Sequence, residues 1–268
     1  MKSLLSSLMC LLVLCVAVSV SAADFPLRSK YPNVIPISTD ELAARYDQAL
    51  IVDVRSSVEY DVIHVKKATN VSVSDINFLA DLEKVRAKNG TAPLVAYCNG
   101  ETCAKSYKAC EQAGAAGFTN MYVYDAGIFA WAQAHPEKAV LLGDSPVPSA
   151  KLIPKSKLNA KSLAFVDFKK AADAGAMVID VREPWQRAKN PELPQNRLLA
   201  LNGVRNVPLE RLVPLLEKGQ FKNKQLLIAD AVGKQVRWLQ YHLEKHGYTD
   251  YAFLKGGAKA AAEAGGVK

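Results

Sequence analysis

Two stretches of this chain carry the same four segments in the same order. Val178-Ile179-Asp180-Val181-Arg182-Glu183 repeats Ile51-Val52-Asp53-Val54-Arg55-Ser56, and Asn206-Val207-Pro208-Leu209 repeats Asn70-Val71-Ser72-Val73. Leu226–Asp230 repeats Leu94–Cys98, and Leu254-Lys255-Gly256-Gly257 repeats Tyr124-Asp125-Ala126-Gly127. The offsets are nearly constant, as loop insertions in a duplicated unit would leave them. Within each copy, short apolar runs alternate with helical patterning, which implies an α/β unit with a mostly parallel sheet flanked by helices. At 268 residues, half of them hydrophobic, the chain is long enough to bury two such cores. The expected units are 24–141 and 162–268. Between them, 142–161 turns rich in Pro, Ser, Lys and Gly and reads as a linker.

The first copy can be followed element by element. Val34–Ile37 reads as a short strand, and a helix follows to about Tyr46 with Thr39 as its N-cap. Leu50–Val54 reads as a strand and Val58–Tyr60 as a helical turn. Asp75–Lys88 reads as a helix with Ile76, Leu79, Leu82 and Val85 at spacings of three. Leu94–Tyr97 is a strand entered from Pro93, Cys103–Gly114 a helix, Asn120–Tyr124 a strand and Gly127–Ala134 a helix.

Ahead of the repeats, Lys2 precedes an apolar run from Leu4 to Val20 and then Ser21-Ala22-Ala23. A charged start, an apolar middle and a small-residue end are the pattern of a secretory signal peptide, residues 1–23, rather than an uncleaved anchor. An exported, periplasmic or secreted protein is the expectation, with no membrane span after cleavage. Of five cysteines, Cys98, Cys103 and Cys110 then remain. That is too few, and odd in number, for a disulfide framework, and it leaves at least one free thiol. Losing Lys2 lowers the net charge from +8 to +7. The lysines are dispersed without a basic run, so nucleic acid is not an expected partner.

Cys98 stands where a strand ends and a helix is about to begin. The amides of such a loop and the helix N-terminus favour an anionic sulfur, which lowers a thiol pKa and makes a nucleophile. The same position also suits a small buried hydrophobe. The second copy has Asp230 at this place, with Asp230-Ala231-Val232-Gly233-Lys234-Gln235 as its loop. A carboxylate accepts no sulfur, so a thiol nucleophile is confined to the first copy.

Asp53-Val54-Arg55 with Glu59-Tyr60, His64, Asn70-Val71, Tyr97-Cys98-Asn99-Gly100 and Gly127-Ile128-Phe129-Ala130-Trp131 together resemble the rhodanese superfamily in its tandem, two-domain form. The resemblance implies a sulfurtransferase whose Cys98 takes sulfane sulfur from thiosulfate, a polysulfide or a persulfide. Cyanide or a thiol, on a small molecule or on a sulfur-accepting protein, would then remove it. It also implies a persulfide-binding loop of Asn99, Gly100, Glu101, Thr102, Cys103, Ala104 and Lys105, and a catalytically silent second domain. Asp53 and Arg55 are expected to be an ion pair bracing that loop. No cofactor is implied.

Two features depart from the family. Thiosulfate-using members carry Arg or Lys early in the loop, whereas here Glu101 stands there and Lys105 is the nearest cation. Cys103 is a second thiol, which brings in a thiol–disulfide redox protein using Cys98 and Cys103 as one alternative. A sulfur-carrier or docking module without turnover is another. The related phosphatases need Cys-x5-Arg, and Ala104 occupies the arginine position. His64 reads as a hydrogen-bonded structural residue. His242 and His246 have helical spacing that would suit a metal, but the sequence reveals no third ligand, so no metal is expected. Trp131, Trp185 and Trp238 read as packing residues.

Overall fold

The computed structural model describes residues 25–188 and 192–267. The stretch read as a signal peptide lies outside the described residues, and among these no helix is long and apolar enough to cross a membrane. Eleven strands are present among them: β1 (Leu50–Asp53), β2 (Ile63–Val65), β3 (Thr69–Asn70), β4 (Leu94–Tyr97), β5 (Met121–Tyr124), β6 (Ala139–Leu141), β7 (Ser162–Leu163), β8 (Met177–Asp180), β9 (Arg205–Asn206), β10 (Leu226–Ala229) and β11 (Tyr251–Leu254). The helices are α1 (Thr39–Ala44), α2 (Ser57–Val62), α3 (Phe78–Arg86), α4 (Lys105–Ala115), α5 (Gly127–Ala134), α6 (Lys155–Ala160), α7 (Phe165–Asp173), α8 (Trp185–Ala188), α9 (Leu209–Glu217), α10 (Val236–Lys245) and α11 (Gly257–Glu263).

Nine of the strands build two parallel sheets, while β2 and β6 pair antiparallel in a small third one. The first has the order β3-β1-β4-β5; the second, read from its far edge, is β9-β8-β10-β11-β7. The four segments that repeat in sequence therefore occupy the same four stations in each sheet. The central strands β4 and β10 are apolar and buried at every position, as strands covered on both faces must be. Cys98 and Asp230 follow directly at their carboxyl ends, the edge where open parallel sheets place their sites.

Several boundaries differ from the sequence reading, each for a local reason. Val34–Ile37 is not a strand but a single parallel bridge from Pro36 to Val123. Proline has no N–H to extend the ladder, so this segment holds only the place that β7 fills in the second sheet. The N-cap of α1 is Ser38, not Thr39. The Ser38 side chain accepts from the Glu41 N–H at 3.2 Å and the Glu41 carboxylate accepts from the Ser38 N–H at 2.9 Å, a reciprocal box. The Thr39 hydroxyl instead meets the Tyr124 hydroxyl at 3.0 Å.

The helix expected from Asp75 begins at Phe78. Asp75 accepts from the Asn77 N–H at 2.8 Å and stays in a turn, which leaves Ile76 98% exposed rather than in the core. Trp185 is 64% exposed and packs no core, unlike Trp131 and Trp238. The stretch 142–161 carries α6 and buries Val147 and Ile153. One layer of the first unit's core, around Ile51, Val95, Tyr97, Tyr124 and Trp131, also takes in Trp238 and Tyr241 of α10.

Candidate active site

Cys98 is buried, its Sγ 3.2 Å from the Cys103 carbonyl to which it donates, and it accepts from the Ser106 hydroxyl at 3.4 Å. The loop folds back on itself because the Cys103 N–H donates to the Gly100 carbonyl at 2.8 Å. That turn keeps Cys103 out of the helix and starts α4 at Lys105. It also places Cys103 beside Cys98, whose Sγ reaches the Cys103 carbonyl. Cys98, Cys103 and Cys110 are free thiols.

The two sulfurs differ in electrostatics. Burial pushes the Cys98 thiol well above its ordinary range, with only the Ser106 hydroxyl and the Gly100 amide acting the other way. Cys103 is lowered to about 6 chiefly by the neighbouring Cys98 thiol, which outweighs burial, with help from the Asn99 and Lys105 amides and the Lys105 charge. The loop amides are thus divided between the two sulfurs, Gly100 on Cys98 and Asn99 and Lys105 on Cys103. Of the two thiols, the surroundings oppose ionisation of Cys98 and favour that of Cys103.

A polar lattice fixes the loop from below. Asp53 and Arg55 are both fully buried, and Arg55 grips the carboxylate through Nε at 2.9 Å and Nη2 at 2.5 Å. Its Nη1 donates to Asn99 Oδ1 at 3.0 Å, and Asn99 Nδ2 donates to Glu59 Oε1 at 2.8 Å. Lys105 Nζ completes the chain on Glu59 Oε2 at 3.0 Å. Lys105 is therefore ion-paired and half-buried rather than a free cation, while Glu101 and Thr102 lie exposed at the loop tip. Burial alone would raise Glu59, but Lys105, Asn99 and Arg55 together hold its carboxyl below the ordinary value. The sequence reading names Glu59 only as part of the resemblance and gives it no role at the site; a further signal is the Ser56-x-x-Glu59 capping box at the start of α2.

Gly127 makes the close approach possible. It has φ +74°, and a Cβ there would lie 2.3 Å from the Gly100 nitrogen. The next amide, that of Ile128, donates to the Cys98 carbonyl at 3.0 Å. Gly257 repeats the arrangement at φ +64° under the second loop, where the Ala258 N–H donates to the Asp230 carbonyl at 2.8 Å. There the loop encloses its own anion. The Asp230 carboxylate accepts from the amides of Gly233, Gln235 (2.6 Å) and Val236 (3.2 Å). Burial raises its pKa against these bonds.

His64 stands apart from the thiols, stacked on Tyr60 at 3.9 Å with Nδ1 2.7 Å from the Tyr60 carbonyl. Burial lowers its pKa. Asp180 and Arg182 form a second buried pair, which braces the carbonyls of Gln195 and Arg197. Arg237 of α10 is half-buried over Phe129 at 4.2 Å, within electrostatic reach of Arg55 and Glu59. Far along the chain from the histidine pair, Glu217 of α9 meets His242 and His246 of α10, supplying the third ligand type that the sequence spacing did not reveal.

Residues 38–134 match the family model of the rhodanese-like domain. No curated protein matches the chain. Among solved structures it is similar to thiosulfate sulfurtransferase from Pseudomonas aeruginosa, 20% identical over 87% of this chain and 43% of that one, TM-score 0.37. This chain therefore spans less than half the length of that protein. It is also similar to protein hp1203 from Helicobacter pylori 26695, 23% identical over 40% of this chain and 88% of that one, TM-score 0.33. The BH2092 protein from Bacillus halodurans is 18% identical over 50% of this chain and 94% of that one, TM-score 0.36. The family match, to a rhodanese-like domain over residues 38–134, thus falls on the first parallel sheet and its helices.

Proposed function

We propose that this protein is an exported sulfurtransferase that carries sulfane sulfur on Cys98, with the second unit catalytically silent. The observation that carries the reading is the loop's behaviour in its two copies. In the second, backbone amides hold the terminal oxygens of a side chain, Asp230, that starts at the station of Cys98. A cysteine persulfide places its outer sulfur two bonds beyond Cβ, where a carboxylate places its oxygens. The loop is thus the right kind of cradle for a terminal anion at that distance.

In the first half-reaction Cys98 passes its proton to the thiolate of Cys103 and attacks the outer sulfur of thiosulfate. The new bond is Cys98 Sγ–S, the bond that breaks is S–S of the donor, and sulfite leaves with the electron pair. A polysulfide or persulfide donor reacts the same way, losing a shorter polysulfide or a thiolate. In the second half-reaction a thiolate or cyanide attacks the outer sulfur and Cys98 leaves as the thiolate. The order is ping-pong. Since Glu101 is exposed at the loop tip and Lys105 is occupied by Glu59, the loop offers a doubly charged donor little attraction, which favours polysulfide or persulfide sulfur over thiosulfate.

The test is intact-mass analysis after incubation with thiosulfate, polysulfide or a small-molecule persulfide. An adduct of about 32 Da, one sulfur atom, is expected on the wild type and absent from Cys98→Ser. No adduct with any donor, or an adduct retained in Cys98→Ser, overturns the reading.

A further inference from the structure

A cavity of about 410 Å³ lies between α2 of the first unit and α9 and α10 of the second, away from Cys98. Glu210, Val213, Pro214 and Glu217 line it from one face of α9, and His242 and Lys245 from one face of α10. At its edge Glu217, His242 and His246 present ligand atoms that all lie within 4.8 Å of one another. Independently, His242 Nδ1 is buried without a hydrogen-bond partner among the described residues. A buried polar atom of this kind calls for a partner, and a coordinated ion or its bound water supplies one.

We propose that Glu217, His242 and His246 form a divalent metal site of the zinc class, with one coordination position open to this cavity. Two imidazoles at helical i, i+4 spacing present themselves on one side of α10, and a carboxylate from a second helix closes the set. This is the nitrogen–oxygen donor mixture that Zn²⁺ accepts, with three protein ligands leaving room for water or a small anion. The ligand atoms need to close by roughly an ångström to reach tetrahedral contact at about 2.0–2.2 Å from the ion. Glu217 is exposed and has the freedom to make that movement. The charge balance is favourable: Asp61 and Glu210 add carboxylates to the same cavity, while Lys245, the one lysine or arginine lining it among the described residues, is tethered by its Nζ to the Leu142 carbonyl at 2.8 Å.

The test must keep zinc off the thiols. The full chain carrying Cys10→Ser, Cys15→Ser, Cys98→Ser, Cys103→Ser and Cys110→Ser is stripped with chelator and titrated with Zn²⁺ by calorimetry, then compared with the same chain bearing Glu217→Gln or His246→Ala. One equivalent of Zn²⁺ is expected in the parent, with affinity falling by more than about tenfold in each variant, beyond what outer-shell changes alone bring. Circular dichroism of the metal-free variants confirms the fold, and the exposed Glu217→Gln carries the result if His246→Ala is unstable. Sulfur loading of Cys98 in an otherwise wild-type Glu217→Gln chain should be unchanged. Absence of binding in the folded parent, or affinity unaltered by Glu217→Gln, overturns the proposal.

Discussion

Lys105 Nζ sits 3.0 Å from Glu59 Oε2, joining the first turn of α4 to the first turn of α2. Glu59 is the hub, since its other oxygen holds Asn99 in the loop and its carboxylate also closes the cap on Ser56. Its carboxyl is held below the ordinary value of 4.5 despite burial, so its ionised form stabilises the fold. That contribution is fully present above the unfolded value and is lost as pH falls through the lower folded one. Glu59→Gln should therefore cost about 1–3 kcal/mol at neutral pH. The melting temperatures of variant and wild type should converge below pH 4.5, and thermal scans across that range check it.

Arg55 is matched to Asp53 by geometry as well as charge. Removing the guanidinium leaves a fully buried carboxylate unpaired, so Arg55→Met should destabilise by about 3–5 kcal/mol. Arg55→Lys should recover little of this, because an ammonium cannot bond both carboxylate oxygens and also reach Asn99 and the Ile63 carbonyl. Urea denaturation of the three proteins measures the difference.

Gly127→Ala would drive a methyl group into the Gly100 and Asn99 backbone, at a φ of +74° that already disfavours a side chain. The expected result is a folded protein, less stable by about 1–3 kcal/mol, in which Cys98 loads little or no sulfur. Gly90→Ala, where a Cβ meets nothing within 4 Å, should leave loading unchanged. Intact-mass analysis after donor treatment separates the two.

The pair Cys98 and Cys103 should show itself in alkylation. Iodoacetamide should label Cys103 with a rate that rises through about pH 6, where its thiolate forms. In Cys103→Ser the labelling left on Cys98 should titrate at higher pH, since burial opposes its thiolate. Peptide mapping of alkylated sites across pH gives both curves.

The layout of the sheets was readable because the repeated segments are the strands themselves. Apolar runs such as Leu94–Tyr97 and Leu226–Ala229 have few alternatives once placed between helices. Cys98 was readable for the same reason, as the residue that ends such a run. What stayed hidden is what depends on contacts between distant positions. Lys105 looks like an exposed first-turn lysine until α2 brings Glu59 to it. Cys103 looks like the first residue of a helix until its amide turns back to Gly100. Ile76 fits a helical face perfectly well, and only the side chain of Asp75, bonded to the Asn77 amide, ends the helix short of it. His242 and His246 lacked a partner in sequence because Glu217 belongs to another helix.

Trp238 and Tyr241 belong to the second repeat by sequence and to the core of the first by position. The indole of Trp238 stacks on Phe129 at 6.0 Å and lies 5.5 Å from the Arg55 guanidinium, while the Tyr241 hydroxyl accepts from the Ile153 amide at 2.9 Å. Cutting the chain between the repeats would uncover both the apolar face and the buried cation that this indole shields. Heat or denaturant is therefore expected to unfold the two repeats in a single transition, which calorimetry of the full chain checks. The copy without a thiol thus completes the core of the copy that has one.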